Sequence, residues 1–190
     1  MRRLLQLNPQ KRHYVRRLVM ATTRGMLRAV AQTLDSPGEV LARVNNALYP
    51  NIPSKMFVTC FYAIFKLESA TLSYANAGHE LRYLWHGGDK AEELRARGMT
   101  MGLMPEMSYK EKEAVLREKD SVLLYSDSLV EAHAPHYEMF GFPRLRELIA
   151  EHGKERLLVN SLLAELYSFV GESWEQEDDI TLLTLERSAT

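Results

Sequence analysis

The chain is poor in cysteine, in long apolar runs and, ahead of position 35, in acidic residues, and each shortage excludes something. With one cysteine in 190 residues, Cys60, no internal disulfide can form. That cysteine sits in the apolar run Met56 to Phe65, so an inert buried thiol is expected, and a reducing cytoplasm fits. No uninterrupted apolar stretch approaches the roughly 18 residues needed to cross a bilayer, and the first residues lack the apolar centre of a signal peptide. A cytoplasmic protein with no membrane partner is the expectation. No acid precedes Asp35, whereas Arg2, Arg3, Lys11, Arg12, Arg16, Arg17, Arg24 and Arg28 all do. Because the net charge is only -1, the remainder is acidic. A basic leading segment can contact nucleic acid. Here Tyr14 is its one aromatic residue and the rest of the chain has no nucleic-acid motif, so no nucleic-acid partner is expected.

What is present suits one compact domain: 46% hydrophobic and 26% charged residues suffice for a sizeable core at this length. Apolar residues recur at helical spacing from Val15 to Leu34. Ser36-Pro37-Gly38-Glu39 then has the form of a capping box with proline at the first helical position, which predicts a second helix through Leu48. Met56 to Phe65, apolar on both alternating faces, predicts a strand covered on both sides. Strands are also expected over 71–76, 81–86, 91–94, over an exposed edge at 109–116, over 120–125 and over 180–185, with helices over 143–152 and 154–170. Helices grouped around a run of antiparallel strands predict an α/β fold of α+β type, a four-layer α-β-β-α sandwich.

Two acidic stations adjoin strongly apolar strands: Tyr125-Ser126-Asp127, and Glu175 through Asp178-Asp179-Ile180-Thr181. A hard cation such as Mg²⁺ or Mn²⁺ needs carboxylates on rigid supports, and aspartates at strand ends supply them. From spacing alone, solvated turns are the commoner account of such residues, since aspartate favours turns.

The stations belong to a longer ordered series: Met20-Ala21, Ser36-Pro37 with Leu41 to Asn45, Phe57-Val58-Thr59, Tyr74-Ala75-Asn76-Ala77-Gly78-His79, Met101-Gly102-Leu103, Tyr125-Ser126-Asp127, Phe140-Gly141 and Asp178-Asp179-Ile180-Thr181. In that order the series resembles the SpoIIE/RsbU branch of PPM-type (phosphatase 2C-like) protein serine phosphatases, from about Val15 to Leu185. The resemblance implies metal ligands at Asp127 and Asp178 and no catalytic residue beyond the ligands. Asp179, Glu131 and Asn76 are candidate helpers; Glu131 follows Asp127 by four, and a solvated turn carboxylate accounts for it equally well. The resemblance implies hydrolysis of phosphoserine or phosphothreonine at a pair of Mg²⁺ or Mn²⁺ ions, without a covalent enzyme intermediate. The implied partner is a phosphoprotein of the anti-anti-sigma (STAS-domain) type in bacterial signalling, with a sensor region or a partner chain as regulator.

The family opens with Gly-Gly-Asp-x-x-Asp and Gly-Asp-Val-x-Gly-x-Gly, and neither motif is present. Asn8 stands where the aspartate bridging both ions belongs, and an amide brings no charge to that bridge. Residues 1–14 therefore read as a basic atypical segment and 15–190 as a phosphatase domain incomplete at its N-terminal side, lacking the opening strands. At most one Mg or Mn ion is expected in this chain. A misplaced start or shifted reading frame in the source gene is one expected origin, a catalytically dead pseudophosphatase or binding module is the alternative function, and a homodimer through the exposed sheet edge is an expected assembly. Ser128 replaces the family's glycine, where a positive φ is anticipated. His79, His133 and His136 read as structural or loop histidines, and zinc is not expected.

Overall fold

Pro9 occupies the first position of helix α1 (Pro9–Ala31), where its missing N–H costs no hydrogen bond. The computed structural model describes residues 9–80, 82–86, 91–152, 158–171 and 179–188. Helix α1 starts earlier and stops sooner than its apolar periodicity indicates. It stops because the N–H and the hydroxyl of Thr33 both donate to the Val30 carbonyl, at 3.0 and 2.9 Å, and occupy the acceptor that a continuing helix would use. Helix α2 (Pro37–Leu48) comes next, with Ser36 extended as its cap and accepting from the Glu39 N–H at 3.1 Å. The expected carboxylate at this helix entrance comes from a distant residue: Glu111 takes both the Ser36 hydroxyl and the Gly38 N–H. Negative charge at a helix N-terminus is favourable. Gly38 is required for this approach, because a Cβ there would lie 2.4 Å from the Tyr109 carbonyl oxygen.

The strands are β1 (Cys60–Lys66), β2 (Thr71–Ala77), β3 (Arg82–Trp85), β4 (Ala91–Leu94), β5 (Glu111–Val115), β6 (Ser121–Tyr125) and β7 (Leu182–Glu186), and two further helices are α3 (Gly141–His152) and α4 (Leu158–Val170). They make a three-stranded sheet ordered β1-β2-β5 and a four-stranded sheet ordered β4-β3-β6-β7. Every pair in the second sheet is antiparallel, with Tyr83 opposite Leu123 and Tyr125 opposite Leu182. The strand expected over 56–65 begins later, at Cys60, and is half-buried rather than covered on both faces; Phe57 is 55% exposed. Among the described residues β1 has one neighbour, β2, so it is an edge strand. The edge character expected of 109–116 is found in β5, which is mostly exposed.

Contacts divide the chain into two units. The first comprises Met1–Lys66, Leu72–His79 and Ala96–Glu113. Its core joins the buried face of α2 (Val40, Leu41, Val44, Leu48) to Ala75 and Ala77 of β2, with Val19, Met101 and Tyr109. Each of the valine and leucine side chains among them contributes about 1.5–3 kcal/mol on burial. The second comprises Leu67–Thr71, Glu80–Arg95 and Ala114–Thr190. There Tyr83 and Trp85 of β3 and Leu123 and Tyr125 of β6 pack with Leu145 and Ile149 of α3 and Leu158, Leu162 and Leu166 of α4. Each unit thus covers one sheet with one pair of helices. Their charges are opposite. The first holds fourteen Lys and Arg against five Asp and Glu, a net +9, and the second holds ten against twenty, a net -10. Among the described residues no helix is long and apolar enough to cross a membrane.

Candidate metal centre

Strand β6 is central in its sheet and buried along nearly its whole length, so it is a rigid support for the turn at its C-terminal end. The chain leaves it through Ser126 into a 3₁₀ turn, Asp127–Leu129. The Asp127 carbonyl accepts from the N–H groups of Val130 and Glu131 at 2.9 and 3.0 Å, and Leu129 and Val130 are buried in the core beneath. The turn is fixed from below while the Asp127 side chain stays exposed, accepting the Ser128 N–H at 3.2 Å. Ser128 is not among the residues with positive φ, which corrects the expectation drawn from the family's glycine: a 3₁₀ turn needs only ordinary helical backbone, and serine adopts it without strain.

Two hydroxyls tie this turn to the second acidic station. Ser126 donates its N–H to the Thr181 carbonyl at 2.9 Å, and its Oγ accepts the Thr181 N–H at 2.9 Å. The Ser126 and Ser128 hydroxyls both reach the Asp179 carbonyl, at 3.3 and 3.1 Å. The residues ahead of β7 are thereby held against the Asp127 turn, continuing the ladder that pairs Tyr125 with Leu182. Asp179 is exposed, as is Glu131. Asp178 lies outside the described residues. The structure therefore brings the Asp127 turn and the Asp179 main chain together, with Glu131 one turn further on.

Asn76 is placed differently. It is buried, and its amide is committed within its own loop: Nδ2 donates to the His79 carbonyl at 2.9 Å and Oδ1 accepts the His79 N–H at 2.8 Å. Gly78 allows that clasp, with φ at +69° and a Cβ position only 2.5 Å from the Thr100 methyl. The His79 ring approaches the Thr59 hydroxyl at 3.5 Å. His133 lies in a β-bridge with Met139, and among the described residues no three His, Cys, Asp or Glu side chains converge as a metal cage.

Behind the turn, Tyr125 stacks on Tyr83 at 6.1 Å between centroids, and the buried Arg82 guanidinium lies 5.2 Å from the Tyr125 ring. Burial, reinforced by Tyr83 and opposed by Arg82, pushes the Tyr125 phenol well up, so it stays neutral at physiological pH. Sequence reasoning missed the clasp of Ser126 and Ser128. The signal was present as two hydroxyl residues flanking an aspartate at a strand end, a pattern that also describes an ordinary turn.

This ordered geometry coincides with a family match. Residues 17–188 match the family model described as Stage II sporulation protein E (SpoIIE). The chain belongs to the SpoIIE family. Among its curated relatives, this SpoIIE-family chain is 28% identical over 176 residues to Phosphoserine phosphatase RsbU of Bacillus subtilis, covering 90% of the chain and 51% of RsbU. It is 28% identical over 134 residues to Protein IcfG of Synechocystis, covering 70% of the chain and 21% of IcfG. The chain thus spans about half the length of RsbU and less of IcfG. Among solved structures it superposes on the SiaA-PP2C domain of Pseudomonas aeruginosa with a TM-score of 0.75 at 19% identity, covering 89% of the chain and 68% of that domain. The RsbU and RsbW domains of Rv1364c from Mycobacterium tuberculosis give 0.75 at 23% identity, covering 90% and 48%. The expected α+β fold with two antiparallel sheets and four helices is therefore the PP2C phosphatase fold, and the SpoIIE-family chain is of PPM phosphatase type.

Proposed function

We propose that this chain is a metal-dependent protein serine/threonine phosphatase domain that removes phosphate from phosphoserine on a small regulatory protein of the anti-anti-sigma (STAS) type, in the bacterial cytoplasm. The observation that carries it is the hydroxyl clasp of Ser126 and Ser128 on Asp179, which sets the exposed Asp127 carboxylate beside the segment leading from Asp178. Support comes from RsbU being named a phosphoserine phosphatase, and from SpoIIE and RsbX, similar folds solved after Mn presoaking and in complex with magnesium.

The donor chemistry fits a single hard cation. Mg²⁺ is usually held by one or two carboxylates together with waters and substrate phosphate, and the Asp127 oxygens are exposed and lightly used. Asp127 and Asp178 would hold the ion, and Asp179 and Glu131 would add negative charge around it. When bound, the metal supplies Lewis acidity toward the phosphoryl oxygens and makes a water acidic at neutral pH. The chain's own part is to fix Asp127 on the end of β6, to hold the 179–181 segment against it, and to keep the ring of Tyr125 neutral and packed beneath the turn. Asn76 contributes by shaping its loop, since its amide is already committed there.

Release of phosphate from a phosphoserine peptide, with Mn²⁺ added and chelated, tests the reading. Turnover that requires Mn²⁺ and disappears in Asp127→Asn supports it. Binding of one Mn²⁺ at Asp127 with no turnover would establish the alternative, a pseudophosphatase retaining only the fold. No Mn²⁺ binding at all would remove the metal-dependent reading and leave the alternative that keeps only the fold.

A further inference from the structure

Helix α1 contains six cations, Lys11, Arg12, Arg16, Arg17, Arg24 and Arg28, and no acid in 23 residues. Its inner side packs into the first unit's core through Val19, with Val15, Met26, Leu27 and Val30 beside it. Arg16, Arg17, Arg24 and Arg28 are all exposed, and none makes an ion pair among the described residues. Tyr14 and Leu18 are exposed as well, at 74% and 67%. At about 100° per residue, Arg17, Arg24 and Arg28 lie within about 40° of one another and span about 16 Å along the axis. Tyr14 and Leu18, four residues apart, flank that row toward its N-terminal end, about 60° and 100° around from Arg17.

We propose that this outer side of α1 is a docking surface for an acidic helix of a protein partner, apolar at one end, with its carboxylates on Arg17, Arg24 and Arg28 and its apolar side chains on Tyr14 and Leu18. Charge complementarity selects the partner's sign: the unit bearing α1 has a net charge of +9. The two leading alternatives fit less well. A nucleic acid would meet a helix whose one Phe, Tyr or Trp is Tyr14, in a chain without a nucleic-acid motif, so neither base stacking nor groove reading is provided for. A lipid surface needs its apolar anchors on one side, whereas the remaining large exposed apolar residue among the described residues of the helix, Met20, lies about 160° from Leu18, on the opposite flank of the arginine row. The proposal is independent of whether the acidic centre turns over substrate.

The test uses the full chain and a labelled helical peptide carrying glutamates spaced seven and four apart with leucines one turn beyond, read by fluorescence anisotropy. A scrambled peptide of identical composition, phosphatidylserine vesicles and a short DNA duplex serve as the other arms. The ordered peptide is expected to bind about tenfold more tightly than the scrambled one, to weaken as salt rises, and to weaken about tenfold again in the triple variant Arg17→Glu, Arg24→Glu, Arg28→Glu. Leu18→Ala is expected to weaken it several-fold. Circular dichroism checks that α1 survives; if charge reversal unfolds it, the triple glutamine variant replaces it, with a smaller loss in the same direction. Equal binding of both peptides, insensitivity to the arginine variants, absence of peptide binding, or tighter binding to vesicles or duplex would each overturn the proposal.

Discussion

Strand β6 carries an aspartate just beyond each end, and the two have opposite fates. Asp120, immediately before it, is buried, and its Oδ2 accepts the Arg117 N–H at 2.7 Å and lies 2.7 Å from His86 Nδ1, while the other ring nitrogen of His86 is 3.4 Å from Glu92. Asp127, two residues past the other end, is exposed and takes one longer hydrogen bond, from Ser128 at 3.2 Å. A buried carboxylate with one oxygen held between two protein partners ties the fold together, and an exposed one is available to a cation. Both ends adjoin β7: the Asp120 carbonyl accepts the Arg187 N–H at 3.0 Å, and Ser126 pairs with Thr181. Strand pairing is thus common to both, and side-chain burial makes the difference.

The largest expected effect lies at the buried end. Asp120→Ala strands the Arg117 N–H and leaves His86 without its closer partner, which costs about 2–3 kcal/mol and lowers Tm by roughly 4–12 °C in a chain of this size. Asp127→Asn is expected to leave Tm unchanged within about 1 °C, as for ordinary surface substitutions, while abolishing Mn²⁺ binding in a titration. A Tm loss at Asp127 equal to that at Asp120 would break the comparison. His86→Ala comes next, at about 1.5 kcal/mol by urea denaturation, with Mn²⁺ binding unchanged.

Smaller still is the effect of the clasp. Ser126→Ala leaves the Thr181 N–H without its hydroxyl acceptor and costs about 1 kcal/mol; Ser128→Ala removes one of two donors to the Asp179 carbonyl and costs about 0.5 kcal/mol. If these hydroxyls position the acidic stations, the double variant weakens Mn²⁺ binding by roughly tenfold, beyond what its stability loss accounts for. Ser126→Thr, which keeps the hydroxyl, should restore binding. Unchanged Mn²⁺ affinity in the double variant would make the clasp structural only.

The sequence carried these features unequally. The positions of α2 and β6 were legible because short-range chemistry sets them: a serine cap with proline after it, and a compact apolar run ended by polar residues. The start of β1 was not, since the periodicity of 56–65 cannot report that Phe57 lies outside the ladder and that, among the described residues, β1 has a neighbour on one side. Glu111 closing the entrance to α2 was illegible for a related reason, a contact 73 residues from Gly38 that only the folded sheet creates. The acidic stations were legible as an ordered series. The division of roles between Asp120 and Asp127 was not, because both stand beside the same apolar strand and only burial separates them.

The smallest effect at neutral pH concerns Tyr125, which joins the strand to the Asp127 turn. Its phenol is pushed up from its ordinary value of 10.0, first by burial and then by Tyr83. A raised folded-state value means that the native protein holds the proton more tightly than the unfolded chain does. The corresponding stability is fully present below about pH 10 and is lost as pH climbs above it. Tyr125→Phe keeps the stacking on Tyr83 and removes the ionisable hydroxyl, so it should leave the urea midpoint at pH 7 nearly unchanged and make it fall less steeply above pH 10. A parallel decline in both proteins would show that the turn beneath Asp127 opens before Tyr125 ionises, and that the Asp127 end of β6 is the less firmly held of the two.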